Sequence, residues 1–269
     1  MTSAPRALQL ATTVAGSGAP VIVIHGFTGS AAAMAPLVDR LKGYRRVAVD
    51  LVGHGHSPSP PDLASYSLEA TAELLAELAA AAPDGPCHVV GYSMGGRVAL
   101  ALATTHPEVC RSLSLISATA GLADAAARAK RREADEALAD QIDELGLARF
   151  VDDWVALPMW DTLRARLDPD EWDASIRQRM KCNPAGLANS LRAAGTGSMT
   201  PLWDQLVGIA VPTLVVCGEL DAKFVTTGRK MASLLPDSEL VVPDGSGHAV
   251  HLEDPDRCAA AIRQHLDAH

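Results

Sequence analysis

The sequence predicts an α/β fold, a mostly parallel sheet with helices on both faces. Two observations carry this. Short runs rich in Val and Ile recur along the chain, and each is followed by a stretch with helical character. The runs are apolar along their length, as strands covered on both faces are. Strands that alternate with helices in this way make a parallel sheet. A third observation adds a second part: the stretch 121–207 breaks the rhythm and is helical and polar, with no convincing strand.

In order, Val21–His25 (VIVIH) precedes an Ala-rich helix near 31–42, and Arg46–Asp50 (RVAVD) precedes a loop rich in Gly, Ser and Pro. A helix near 68–82 follows. Cys87–Tyr92 (CHVVGY) leads into a helix from about 94 to 105, and Ser112–Ser117 (SLSLIS) closes the first half. After the long helical region come Thr213–Cys217 (TLVVC), a helix near 224–235, Glu239–Pro243 (ELVVP) and a last helix near 256–267. The 121–207 insertion is far longer than one crossover needs, so it reads as a helical cap, with 1–120 and 208–269 forming the core. Its Ala-rich pieces suit helix, since Ala has the best helix propensity.

Composition sets limits on function. The 269 residues, 48% hydrophobic and 20% charged, can bury a sizeable core and are not those of a disordered chain. With 23 Lys and Arg against 32 Asp and Glu, the net charge is −9 and no long basic run occurs. Nucleic acid and anionic membrane are therefore not expected partners. The N-terminal stretch has no signal-like apolar segment, and no run of about 18 apolar residues exists that could span a membrane. Five scattered cysteines without a CxxC argue against a disulfide framework or a zinc site. Cys87 and Cys217 read as small buried hydrophobes. A reduced, cytoplasmic protein is expected, a monomer or a small homo-oligomer.

The chemistry concentrates in four places. Gly91–Gly96 (GYSMGG) joins a strand directly to a helix, with Ser93 in a Gly-x-Ser-x-Gly frame. Such a nucleophile elbow lifts the serine hydroxyl above the sheet. A lone serine is a poor nucleophile or base; it needs a histidine, and the histidine needs an acid to fix its tautomer. His248 lies in GSGHAVHLEDP, after the last strand. His251 is its local competitor and reads as a surface or cap-contacting residue. The acid follows Thr213–Cys217, where CGELDAKF offers Asp221 and Glu219; Asp221 lies farther along the turn and is preferred, while Asp244 is too near His248 in sequence. HGF (His25–Phe27) follows the first apolar strand, which pairs the amides of Phe27 and Met94 as oxyanion-hole donors. His25 reads as structural. His54 and His56 have no nearby carboxylate pair, so no metal is expected there. The Gly-rich run lacks dinucleotide-binding spacing, and no cofactor is expected.

These motifs, HGFTGS, DLVGHGHS, GYSMGG, CGELDAKF and GSGH, resemble the α/β-hydrolase superfamily along nearly the whole chain. That superfamily hosts several reactions, so the fold does not choose one. A narrower resemblance lies in ISATAGL, FVDDWVALPMW and GLANSLRAAGTGSMTPLW, in the Tyr before the serine and in DAKF. These segments are similar to the 2-succinyl-6-hydroxy-2,4-cyclohexadiene-1-carboxylate synthases of menaquinone biosynthesis. The sequence departs from the family's usual pattern at Val52, where Pro is common, and at Met34, where an aromatic is common. The resemblance implies a lyase that eliminates pyruvate from an enolpyruvyl ether. It also implies a triad of Ser93, Asp221 and His248, with Arg131 and Arg179 on substrate carboxylates and Tyr92 and Trp154 at the site.

A small substrate with several carboxylates is thus the expected partner. Residues 121–207 carry eleven Lys and Arg against fifteen Asp and Glu, so the cap is no basic lid and its arginines must be aimed one by one. Arg suits that task through its planar fork. Arg128, Arg132 and Arg177 read as surface residues and Arg97 as structural. Eight of the ten aromatics, all but Tyr44 and Tyr66, fall in the cap and the catalytic motifs, with Trp160, Trp172 and Trp203 holding cap helices together. Two other functions use the same residues differently. One is a carboxylester or carbon–carbon bond hydrolase in which Ser93 attacks a carbonyl or His248 activates water. The other is a non-catalytic ligand receptor.

Overall fold

The computed structural model describes residues 8–269. Residues 1–7, which begin both the expected core segment 1–120 and the N-terminal stretch read as leaderless, lie outside the described residues. The chain runs β1 (Thr12–Ala15), β2 (Pro20–Ile24), α1 (Ala35–Val38), β3 (Arg45–Val49), α2 (Leu68–Ala80), β4 (Cys87–Tyr92), α3 (Met94–Thr105) and β5 (Cys110–Ile116). Four helices follow: α4 (Ala125–Val155), α5 (Asp161–Arg166), α6 (Pro169–Arg179) and α7 (Pro184–Ala194). β6 (Thr213–Val216), α8 (Ala222–Leu234), β7 (Ser238–Val241), α9 (Val250–Glu253) and α10 (Pro255–Ala268) complete it.

Among the described residues seven strands form one sheet in the order β1-β3-β2-β4-β5-β6-β7. All neighbours are parallel except β1, which pairs antiparallel with β3, Thr12 opposite Val49. Alternation within β2 shows why apolar runs were needed. Ile22 and Ile24 face one core with α2 and α3, while Val21 and Val23 face a second core with α10. Burial of both faces leaves no place for polar alternation.

The helices between β5 and β6 have local causes in sequence. Asp124 caps α4 and Asn183 caps α7, each side chain accepting a first-turn amide, and Pro184 starts α7. Asp168 and Glu171 form a reciprocal capping box on α6, with Pro169 at its start. Gly146, at φ +82°, kinks α4 in two. A third apolar core, with Phe150, Val151, Leu187 and Leu191, joins α4 to α7. On the outside Arg192 binds Glu136, Asp140 and Asp143 at 2.7–2.9 Å.

Two expected elements differ. β1 was not expected, and all four of its residues are exposed, so it carries no apolar signal. The helix expected over 31–42 is a 3-10 turn at Ala31–Met34 followed by the single turn of α1, with Pro36 at its start and Gly43 soon after. Among the described residues no helix is long and apolar enough to cross a membrane. The five cysteines are free and buried.

Backbones pack closely where β4 turns into α3. A Cβ on Gly95 would stand 2.4 Å from the His25 carbonyl oxygen and 2.5 Å from that of Ile24. Gly95→Ala is therefore expected to lower stability by at least about 1–3 kcal/mol. Urea denaturation of the two proteins measures this.

Candidate active site

Ser93 sits between β4 and α3 with φ +50° and ψ −107°. This is a strained conformation for a residue with a Cβ and costs of order 1–3 kcal/mol. Glycines make room for it: a Cβ on Gly91 would stand 2.4 Å from the Gly95 carbonyl oxygen. The strain turns the Ser93 side chain out of the strand and above the end of the sheet.

His248 reaches Ser93 from the irregular segment after β7. Its Nε2 lies 3.1 Å from Ser93 Oγ, and its Nδ1 lies 2.7 Å from Asp221 Oδ2. The other oxygen of Asp221 accepts the Phe224 amide at a long 3.4 Å, so the cap of α8 also orients this carboxylate. Glu219 points elsewhere and accepts the Gly245 amide. The Phe224 ring packs on the imidazole of His248 at 4.6 Å and the Tyr92 ring at 5.5 Å. Residues 155 positions apart in sequence thus form one chain of hydrogen bonds, acid to imidazole to hydroxyl.

The loop after β2 lies against the same hydroxyl. A Cβ on Gly26 would stand 3.4 Å from the Cβ of Ser93, so the following Phe27 amide is a near neighbour of the serine. Met94 is the first residue of α3, where an amide has no acceptor within its own helix. His25 holds this loop to the next, accepting the Leu51 amide on Nε2 at 3.0 Å. Asp50, also buried, accepts the amides of Ala31 and His56.

A cavity of about 810 Å³ opens over Ser93 and is walled by the sheet loops and the α4–α7 segment. Phe27, Tyr92, Met94, Trp154, Asp221 and His248 are on its wall, and so is Arg131. Arg131 gives its Nε to Asp135 at 2.8 Å. Asp135 is 1% exposed, so the guanidinium is pinned at one edge while its side chain stays 41% exposed.

Several residues stand elsewhere than expected. Arg179 is not on the cavity wall. It is buried, its guanidinium lies 4.7 Å over the Trp160 ring, and its Nη1 donates to the Ser175 carbonyl. Trp160 itself, and Trp203, were expected only to hold helices together but line the cavity. His251 is 1% exposed rather than on the surface, packed on Tyr92 at 4.2 Å. Arg97 lines the cavity, with Nη1 donating to the Ala194 carbonyl at the end of α7. Burial, helped by the positive charge of Arg131, lowers Arg97 to about 10, which leaves it a cation at neutral pH. Lys223 and Lys230 line the cavity as well, Lys230 over the Trp203 ring at 4.2 Å. Their seven-residue spacing on α8 was a signal available in the sequence and not used.

Among the described residues no cluster of three or more His, Cys, Asp or Glu could hold a metal ion. The hydrogen bonds from Asp221 to His248 and from His248 to Ser93 let the arrangement move a proton at Ser93 Oγ.

The chain belongs to the alpha/beta hydrolase fold family, whose sequence pattern matches residues 19–255. Within that class it is similar to 2-succinyl-6-hydroxy-2,4-cyclohexadiene-1-carboxylate synthases. The Klebsiella pneumoniae (strain 342) synthase is 30% identical over 93% of this chain and 95% of its own length. A Bacillus subtilis (strain 168) protein, provisionally assigned the same activity, is 37% identical over 87% of this chain and 85% of its own. Among solved structures, MenH from S. aureus superposes with a TM-score of 0.91 at 32% identity, covering 97% of this chain and 98% of the other. A thermophilic esterase from Thermogutta terrifontis gives a TM-score of 0.85 at 27% identity over 99% and 96% of the two chains.

The histidines near the site give a pH dependence. The rings of His25 and His54 lie 5.1 Å apart, tilted at 51°. Burial, then the charge of His25, pushes His54 from 6.5 down to about 3, and burial does the same to His251. Both are neutral when folded and take up protons when unfolded below their ordinary value. Their stabilising contribution is full above pH 6.5 and is lost as pH falls toward 3. Urea stability is expected to drop over that window, and His54→Gln to flatten the slope relative to the wild type. An unchanged slope would show that His54 is not held neutral.

Proposed function

We infer that the protein is a carbon–oxygen lyase. It converts 2-succinyl-5-enolpyruvyl-6-hydroxy-3-cyclohexene-1-carboxylate to 2-succinyl-6-hydroxy-2,4-cyclohexadiene-1-carboxylate and pyruvate. One observation carries this: Ser93, with His248 and Asp221 in hydrogen-bond reach, opens onto a cavity whose wall holds Arg97, Arg131, Lys223 and Lys230. That set suits a small substrate bearing several carboxylates. Likeness to the named synthases along most of the chain supports this choice of substrate.

The change from a 3-ene to a 2,4-diene defines the chemistry. The C–H bond at ring carbon 2 breaks, and so does the C–O bond at carbon 5. Carbon 2 is alpha to the succinyl ketone, so its proton is acidic once the developing enolate is stabilised. Ser93 Oγ takes that proton as its own passes to His248 Nε2. Asp221 fixes the tautomer and balances the imidazolium. The Phe27 and Met94 amides receive the enolate oxygen, where preorganised donors contribute most. Electrons then move through the ring double bond and expel pyruvate as its enolate, which takes back a proton. Ser93 acts as a base, and no acyl-enzyme forms.

The residues 121–207 act as a cap that completes the cavity over the 1–120 and 208–269 core. Arg131, pinned by Asp135, holds a substrate carboxylate, with Arg97 beside it. Tyr92 and Trp154 shape the pocket around the ring. Arg179 acts at one remove, by holding the face of Trp160. The same triad would open an ester if Ser93 attacked a carbonyl, and the esterase likeness makes that the reading to separate. Free, buried cysteines suit a reducing, cytoplasmic setting.

A coupled assay that supplies the enolpyruvyl ether and records pyruvate separates these. Release well above the spontaneous rate is expected, with little turnover of simple aryl esters. Ser93→Ala and Asp221→Asn are each expected to slow it by about 10²–10⁴-fold. Arg131→Ala should raise KM by about tenfold or more, the loss of a charge-assisted hydrogen bond. No pyruvate above background, with brisk ester cleavage, would make the protein a hydrolase.

A further inference from the structure

The imidazole of His248 must hold two partners at 2.7 and 3.1 Å, yet it sits on a segment without regular structure, after β7 and before α9. What holds that backbone is Glu253, at the end of α9. Its side chain turns back, so that Oε2 accepts the Gly247 amide at 2.7 Å and Oε1 accepts the Ala249 amide at 3.0 Å. These are the residues on either side of His248. The carboxylate is inside the protein, with Glu253 5% exposed. Among the described residues it belongs to no ion pair.

The surroundings are shaped for this contact. A Cβ on Gly247 would stand 3.1 Å from Glu253 Oε1 and 2.1 Å from Thr162 Oγ1, so only glycine lets the amide reach the carboxylate. From the outer side Arg166 donates to the carbonyls of Gly245 and Glu253, which fixes the two ends of the same segment. A buried carboxylate with no cation is costly unless it is well hydrogen-bonded. A neutral side chain could cap α9 at lower cost. The charge has a use only if something beside it becomes positive, and His248 does so whenever it takes the Ser93 proton.

We propose that Glu253 is a positioning residue for His248, holding the backbone on both sides of the imidazole and placing a second carboxylate near the ring that becomes cationic. The proposal rests on the base role given above to the triad. It adds no bond-making step: the proton still moves from Ser93 Oγ to His248 Nε2. The other groups around His248 are Asp221 from the loop before α8, Tyr92 at the end of β4, Lys223 of α8 on the same cavity wall, and His251 of α9, which burial keeps neutral and which has the Arg179 charge as its own neighbour. Glu253 is thus the second anion in a group that otherwise adds positive charge.

Two variants test this. Glu253→Gln keeps the shape and removes the charge; Glu253→Asp keeps the charge and shortens the arm. NMR titration of the His248 imidazole, assigned by the signal lost in His248→Gln, is run beside steady-state pyruvate release. In Glu253→Gln the titration is expected to move down by about one unit, with kcat about tenfold lower and KM within about twofold. In Glu253→Asp the titration should stay near that of the wild type while kcat falls. If Glu253→Gln lowers only the melting temperature and leaves titration and kcat unchanged, Glu253 is a helix cap and the proposal is wrong. Should Glu253→Gln fail to fold, wild-type kcat in Glu253→Asp overturns it equally. A wild type that releases no pyruvate removes the lyase reading, while the titration still decides the place of Glu253.

Discussion

Everything at the site depends on one close approach of backbones, where β4 turns into α3. Ser93 can hold φ +50° only because Gly91 and Gly95 have no Cβ atoms in the way, and because the carbonyls of Ile24 and His25 pack straight onto Gly95. That contact places the end of β2, and so the Phe27 amide, beside the serine hydroxyl. The strain at one residue is stored by the packing of two buried strands, which is why the site stands at the end of the sheet and not in its middle. The histidine and the acid come from the other half of the chain, across β5, and meet the serine at the same edge.

Charge at the cavity is a matter of placement. The chain carries net −9, and its 121–207 segment has more acids than bases. Yet the wall facing Ser93 holds Arg97, Arg131, Lys223 and Lys230. Asp135 is spent on orienting Arg131, and Asp221 on orienting His248. Acids on the outer surface, such as those around Arg192, leave the interior potential to a few fixed cations. An acidic protein can in this way present a cationic pocket to a polyanion.

Much of this was legible in the sequence. Apolar runs marked the parallel strands, and the helix from 94 to 105 stands at Met94–Thr105. Ser93, Asp221 and His248 are brought together, because each follows the same end of a parallel strand, β4, β6 and β7. Other features depend on contacts between distant segments, which local patterns do not carry. Arg97 read as structural because nothing nearby shows that α7 ends above it. Arg179 and Arg131 both read as helical-face cations, and only the packing of α6 on Trp160 separates the buried one from the one facing the cavity. His251 lies only three residues after His248, but it stands in α9, is buried and packs on Tyr92. β1 is exposed throughout and had no signal to give.

The central claim is that Ser93 removes a ring proton and attacks no carbonyl. Single-turnover kinetics with substrate deuterated at ring carbon 2 tests it most directly. Pyruvate release severalfold slower from the deuterated substrate is expected, because that C–H bond breaks in the step Ser93 performs. Equal rates, together with a covalent adduct on Ser93 in the quenched protein, would contradict it and make the serine a nucleophile.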